Sequence, residues 1–191
     1  MGANRAPAAT SSALPTNYIW DLGDGTTSTT ASPSHTYATP GTYDVTLEIE
    51  DQNGCATTLT KQVVVHPLPV AGFTMTNACN GQSATFNSTA TAGSGTIAQT
   101  LWDVQSDGTI DYTTTNGVHL YPNEGTFNVT QIVVTDQGCR DTITQAITVH
   151  PLPVANFTFV NNCDNEAVTF TGTSTVSSGT VNQTLWDVQS D

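Results

Sequence analysis

The chain has 191 residues, with 16 acidic residues against three basic ones and a formal net charge of −13. Nucleic-acid binding needs a cationic face that releases counterions, so this balance excludes it, and it excludes docking on anionic lipid on the same ground. With 37% hydrophobic and only 10% charged residues, the composition is neither that of a disordered polyelectrolyte nor that of a membrane protein, and no stretch approaches the ~18 apolar residues of a spanning helix.

The length allows one to three small domains. The acid excess suits solubility and leaves room for a cation such as calcium. Residues 1–16 hold one arginine and no apolar run, so they read as a flexible tail or fragment edge rather than a signal peptide. The Met-Gly start does not make a myristoylation site, because Ala6 stands where Ser or Thr is required.

Next comes "YIWDLGDGTTST", from Tyr18 to Thr29. Ile19 and Trp20 read as a strand whose indole fills a core. Asp21, Gly23, Asp24 and Gly25 read as a tight turn in which carboxylates bond nearby backbone N–H groups. A phosphate loop does not fit, since no Gly-Lys-Ser/Thr and no helix follow and the charge has the wrong sign. "TYDVTLEIE" then alternates Tyr43, Val45, Leu47 and Ile49 with polar residues, the period-two pattern of a half-buried strand. "VAGFTMT", "ATFNST", "QTLWDV", "TFNVTQIVV" and "TITQAITVH" are further strands, although Gln131 interrupts the apolar alternation of the fourth. The Gly-, Asn- and Asp-bearing segments "DQNG", "NACNGQ" and "TDQG" between them are turn chemistry. No window carries a helical period with caps.

The chain repeats itself. "HPLPVA" recurs at His66 and His150 and "TLWDVQSD" at Thr100 and Thr184, an offset of 84 residues, and segments 66–107 and 150–191 share 26 of 42 positions. The first repeat is shorter but parallel: Trp20 answers Trp102 and Trp186, and "PGTYDVTLEIEDQNGC" answers "NEGTFNVTQIVVTDQGC". Short strands at this density, separated by turns, predict an all-β fold of tandem immunoglobulin-like sandwiches. The predicted organisation is a tail at 1–16, a partial unit at 17–66 lacking its first strands, a complete domain at 67–150, and a partial unit at 151–191 with first strands only. Pro-Leu-Pro at each junction fixes φ and removes donors, so it ends one domain and stiffens the link to the next; His66 and His150 read as linker residues.

Taken together, "WDLGDG", "PSHTYATPGTYDVTLEIEDQNGC" and the opening "PVAGF" resemble the polycystic-kidney-disease (PKD) domain. The motif residues are Trp20, Asp21, Gly23, Asp24, Gly25, His35, Tyr37, Gly41 and Tyr43. The second repeat departs from the pattern with "WDVQSDG" and "HLYPNEGTF". The resemblance spans nearly all of the chain after residue 16. It implies an immunoglobulin-like sandwich used as an extracellular spacer or adhesive module, strung in tandem on bacterial surface proteins and secreted hydrolases. The cysteines at "NAC" and "QGC" are similar in placement to those of large bacterial surface proteins.

Two sets of residues invite chemistry. "DVQSDGTID" places Asp103, Gln105, Asp107 and Asp111 at oxygen-bearing positions with Gly108 after Asp107, a partial calcium-loop pattern with Thr114 where a bidentate Glu would stand. The alternative is a solvated acidic turn, with no cofactor. His35 and His119 share one repeat position and His66 and His150 another, so they do not converge on a metal; the first pair is expected to pack near the strand tryptophan. No Gly-x-Ser-x-Gly and no His-Glu-x-x-His occurs, which argues against an enzyme.

Cys55, Cys79, Cys139 and Cys163 form no Cys-x-x-Cys, and disulfides in an oxidising compartment are the natural reading. Cys79 with Cys139 is the obvious pair inside 67–150. In an immunoglobulin-like order, however, they lie at opposite poles, on the order of 20 Å apart, beyond the ~7 Å reach of a disulfide. A local detour, or pairing across a domain junction, remains open.

The first repeat starts at its third strand and the third stops after its own, at Asp191. One account is a piece cut from a longer protein. The other is head-to-tail strand complementation between copies, with Cys79 meeting Cys55 and Cys163 meeting Cys139 of the following subunit. The expected function is a non-catalytic extracellular or cell-surface spacer or adhesion array. The alternatives are a polysaccharide- or protein-binding module or a self-assembling filament subunit. The expected partners are neighbouring domains of the same protein, a surface glycan or protein, or further copies; nucleic acid and membrane insertion are not expected.

Overall fold

The structure, a computed structural model, describes residues 17–187; the expected tail at 1–16 and the chain end at Asp191 lie outside them. The chain forms two compact units that divide between Pro67 and Leu68. Residues 151–187 therefore cluster with the domain that precedes them.

The first unit contributes one antiparallel sheet. Strands β1 (Asn17–Asp21), β2 (Thr27–Ser28), β3 (Gly41–Glu50) and β4 (Ala56–Val65) stand in the order β2-β1-β3-β4. The alternation in "TYDVTLEIE" puts Tyr43, Val45, Leu47 and Ile49 on one pleat face, and β4 runs back opposite it from Gly41↔Val65 to Glu50↔Ala56. This face lacks a second sheet among the described residues. Among the described residues Trp20 is half-buried rather than enclosed between sheets.

The second unit holds a closed sandwich. One sheet is β6 (Ala78–Cys79), β11 (Arg140–His150), β10 (Gly125–Thr135) and β8 (Ile97–Asp103), in that order. The other is β5 (Phe73–Met75), β7 (Ser83–Ser88) and β9 (Asn116–Leu120). Between them Phe73, Phe86, Trp102, Val104, Tyr121, Val129, Ile147 and Val149 form the core. The β10–β11 register, from Gly125↔Val149 to Val134↔Arg140, is that of β3–β4 shifted by the 84-residue repeat. The first strand splits: β5 joins one sheet, and β6 crosses to pair in parallel with the end of β11, through Ala78↔Val149 and Cys79↔His150. His150 is thus the last residue of a strand, and its carbonyl accepts from Asn80 N–H at 2.7 Å, which corrects its reading as a linker residue. Beyond it, β12 (Phe157–Phe159) and β13 (Phe170–Gly172) form a two-stranded sheet.

Candidate functional site: the aromatic clasp and its acidic turn

The motif residues of 17–66 assemble around the β1 turn. Asp21 Oδ1 accepts from Gly23 N–H at 3.0 Å and Asp24 Oδ1 from Thr26 N–H at 3.0 Å. Gly23 has φ +81° and lies so close to β3 that a Cβ there would sit 2.7 Å from the Asp44 carbonyl oxygen, so both conformation and space require glycine. Gly25, at φ +90°, meets nothing and is held only by its backbone conformation. Asp24 Oδ2 accepts from His35 Nε2 at 2.7 Å, and that bond draws the Asp24 carboxyl below its usual range. His35 rests edge-on against Tyr37 at 4.7 Å, and Tyr37 stacks on Tyr43, beside Gly41, at 4.1 Å. The Tyr37 hydroxyl donates to the Leu22 carbonyl at 2.9 Å, and the Trp20 indole N–H donates to the Thr30 carbonyl at 3.0 Å.

Domain 67–150 builds the same clasp from different letters. Trp102 donates to the Thr114 carbonyl and Tyr121 to the Val104 carbonyl, each at 2.9 Å. His119 stands edge-on to Tyr121 at 4.6 Å, and Tyr121 stacks on Phe127 at 4.6 Å. Burial, with Asp111 adding to it, pushes the Tyr121 hydroxyl up to about 12. The histidines differ: where His35 bonds an aspartate, His119 Nδ1 faces the Tyr112 hydroxyl at 3.0 Å.

Of the four residues read as a weak calcium candidate, the three carboxylates are engaged with their own loop. Asp103 is buried, and its two oxygens accept from Asp107 N–H at 3.2 Å and Gly108 N–H at 2.8 Å. Asp111 Oδ2 accepts from Val104 N–H at 2.8 Å and Asp107 Oδ1 from Thr109 N–H at 2.8 Å. Gln105 lies apart, on a cleft with His119, Pro122 and Phe127. The carboxylates thus close their own loop around Gly108, which has φ +89°. Among the described residues no three His, Cys, Asp or Glu side chains gather as a metal group.

All four cysteines are free thiols. Cys79 sits beside His150 at one end of β11, and Cys139 immediately precedes Arg140 at the other. Eleven residues of strand separate those ends, roughly 35 Å, so no detour brings the two together. The separation exceeds the expected one because the closing strand is 11 residues long.

Sequence reasoning missed the residues that anchor the chain as it enters the domain. Gln131, fully buried, accepts from Gly72 N–H at 2.9 Å and donates to Ser88 Oγ at 2.8 Å. Asp141 Oδ2 accepts from Ala71 N–H at 2.8 Å, and that bond, with a second from Thr142 N–H, lowers its carboxyl. The signal was the polar residue that breaks the alternation of "TFNVTQIVV".

The site is thus a structural clasp carried by a repeated immunoglobulin-like sandwich. The family model for the PKD domain matches residues 4–66 and 64–149, and the chain belongs to that family. Over 106 residues, 52% of the chain, it is 35% identical to a microbial collagenase of Vibrio alginolyticus. Over 139 residues, 67% of the chain, it is 33% identical to the pre-pro-metalloprotease PrtV of Vibrio cholerae. It spans only 13% and 14% of those relatives. It is also similar to the PKD1 domain of PrtV at 31% identity, with a TM-score of 0.39, over 44% of this chain and 98% of that domain.

Proposed function

We propose that the chain is a non-catalytic, tension-bearing spacer within a larger extracellular protein, linking or presenting neighbouring domains. The observation that carries this reading is the parallel pairing of β6, near the start of domain 67–150, with the end of β11, its last strand. Tension along the chain pulls two parallel terminal strands in opposite directions. It must therefore shear their hydrogen bonds together rather than unzip them one at a time. The Gln131 and Asp141 bonds to the entering backbone at Gly72 and Ala71 load in the same direction. The stiff Pro-Leu-Pro segments transmit that load. The relatives support the reading, because the chain matches only a small share of a collagenase and a metalloprotease. The motif residues support it as well, since their polar atoms are engaged in holding the fold. A glycan platform is less well supported: the exposed Phe157, Phe159 and Phe170 of β12 and β13 are the repeat counterparts of Phe73 and Phe86 in the core and of Met75 packed against it.

Single-molecule pulling on the chain tests this. The domain should rupture in one step, releasing about 26 nm of contour, from 84 residues at ~3.6 Å each less the folded span of one long strand. Stepwise yielding at low force would refute the shear clamp. Hydrolysis of collagen or casein by the purified chain would refute the non-catalytic role.

A further inference from the structure

One strand edge inside domain 67–150 stands open. β8 pairs with β10 along one side, and on its other side the described residues offer only an isolated bridge between Trp102 and Tyr112. There Trp102 N–H donates to the Tyr112 carbonyl at 2.9 Å, and the Trp102 carbonyl accepts from Asp111 N–H at 2.8 Å and Tyr112 N–H at 3.3 Å. The Trp102 indole ties the same segment at the Thr114 carbonyl, 2.9 Å away. In an antiparallel ladder the backbone groups of alternate residues point to the same side. Thr100, two residues before Trp102, therefore turns its N–H and C=O away from β10, and among the described residues nothing bonds them. Its side chain faces inward with that of its ladder partner Val133, and the residue is 5% exposed. After Tyr112 the chain leaves the edge and opens a cleft of about 590 Å³ beside Thr100, lined also by Ser88, Ala90, Ile97, Thr113 and Thr115. No charged side chain lines this cleft, although the chain carries a formal net charge of −13.

We propose that this cleft binds a short, extended, uncharged polypeptide segment of a partner protein, which adds to β8 as an edge strand in line with Tyr112. The backbone of the segment pairs with the N–H and C=O of Thr100. Residues directly opposite each other in a ladder point their side chains to the same face, so the partner residue facing Thr100 directs its side chain into the cleft, among Ser88, Ala90, Thr113 and Thr115. Hydroxyls and small apolar groups there suit threonine, serine or valine. A charged side chain in that position would lose water without gaining a partner, which excludes lysine, arginine and the acids. The chain itself shows the chemistry of the occupant, because residues 111–112 already add to this edge through backbone bonds. Nothing in the sequence of β8 blunts the edge: it has no proline, and its one charged residue, Asp103, is buried and accepts from Asp107 and Gly108 N–H. The register shift between Val134 and Thr135 ends the regular edge beside Ala98, so the added segment is short and its binding reversible. The proposal does not depend on the spacer reading.

Hydrogen exchange on the full chain, read at single amides by nuclear magnetic resonance, tests it. The probe is a capped peptide alternating threonine and valine, with a polyethylene-glycol tail for solubility. At a peptide concentration about ten times Kd, exchange at Thr100 N–H should slow about tenfold, because only the unbound fraction exchanges. Exchange at Gln99 N–H, already in the β10 ladder, should not change. The same peptide with lysine in place of its central threonine should leave Thr100 as it was. Thr113→Trp, at an exposed position outside the strands, fills the cleft and should abolish the slowing. Unchanged exchange at Thr100 with the neutral peptide overturns the proposal, as does equal slowing by the lysine peptide or slowing retained in Thr113→Trp. Slowing by a neutral oligosaccharide, cellotetraose, with none by the peptide overturns it in favour of a polyhydroxyl ligand. The two peptide arms need no altered protein, so they hold even where Thr113→Trp does not fold.

Discussion

Gln131→Leu is a sharp test of the entry anchor, because the first repeat already has leucine at this position, Leu47, in the same register of β3 and β4. The substitution keeps the volume and raises the apolarity of a fully buried site. On burial alone it would stabilise. It also removes both bonds of the side chain: Gly72 N–H loses its acceptor, while Ser88 Oγ loses the amide donor and keeps the Ala90 N–H at 3.3 Å. An unsatisfied interior polar group costs about 1–3 kcal/mol. Gly72 is only partly buried, which favours the lower half of that range, so the loss costs about 1–2 kcal/mol. For a domain of this size each kcal/mol moves Tm by about 4–8 °C, and calorimetry on the full chain should show the transition of 67–150 falling by at least about 4 °C. Hydrogen exchange at Gly72 should quicken in parallel. A Gln131→Leu chain with unchanged or raised Tm would refute the reasoning, showing that burial outweighs the two hydrogen bonds.

Three further outcomes follow from the same geometry. The Asp141 carboxyl is lowered in the fold by Ala71 N–H and Thr142 N–H, so its contribution to stability is present above its unfolded pKa near 4 and is lost as pH falls through the lower folded value. Asp141→Asn should flatten that acid limb in a denaturation series from pH 5 to pH 2. Tyr121, raised to about 12 by burial and then by Asp111, contributes stability that is complete below pH 10 and lost as pH rises toward 12; Tyr121→Phe should remove this alkaline limb, at a cost of about 1 kcal/mol at neutral pH for the bond to Val104, read by urea midpoint. Under mild oxidation no Cys79–Cys139 bridge should form within one chain, and peptide mass mapping that found one would contradict the placement of these residues at opposite ends of β11.

The all-β class, the repeat and the strands were legible because period-two alternation and turn residues are local signals. The roles of Trp20 and Gln131 were not, because each depends on what lies across the sheet. A tryptophan in "YIWDL" reads as core, and Trp102 in the matching position is fully enclosed; Trp20 has no second sheet over it among the described residues. Gln131 reads as a flaw in the alternation until the entering backbone at Gly72 is placed against it. The acidic loop is ambiguous for a related reason. Oxygen-bearing residues at calcium-like spacing also suit a loop whose carboxylates bond their own backbone, and spacing alone does not distinguish the two. For the histidines, shared repeat position gave the shared packing against Tyr37 and Tyr121. It did not give the partner, since Asp24 and Tyr112 arise from different local sequence.

The clasp makes its defining bonds in both settings, with and without a covering sheet. Tyr37 to Leu22 and Tyr121 to Val104 are each 2.9 Å, and Trp20 to Thr30 and Trp102 to Thr114 are 3.0 and 2.9 Å. The motif therefore organises one sheet and its pole through short-range bonds, and the rings that cover that sheet in 67–150 come from a separate element, the hairpin carrying Phe73 and Phe86. That division of labour suits tandem repeats, because each sheet is shaped by its own local sequence while a different segment supplies the cover.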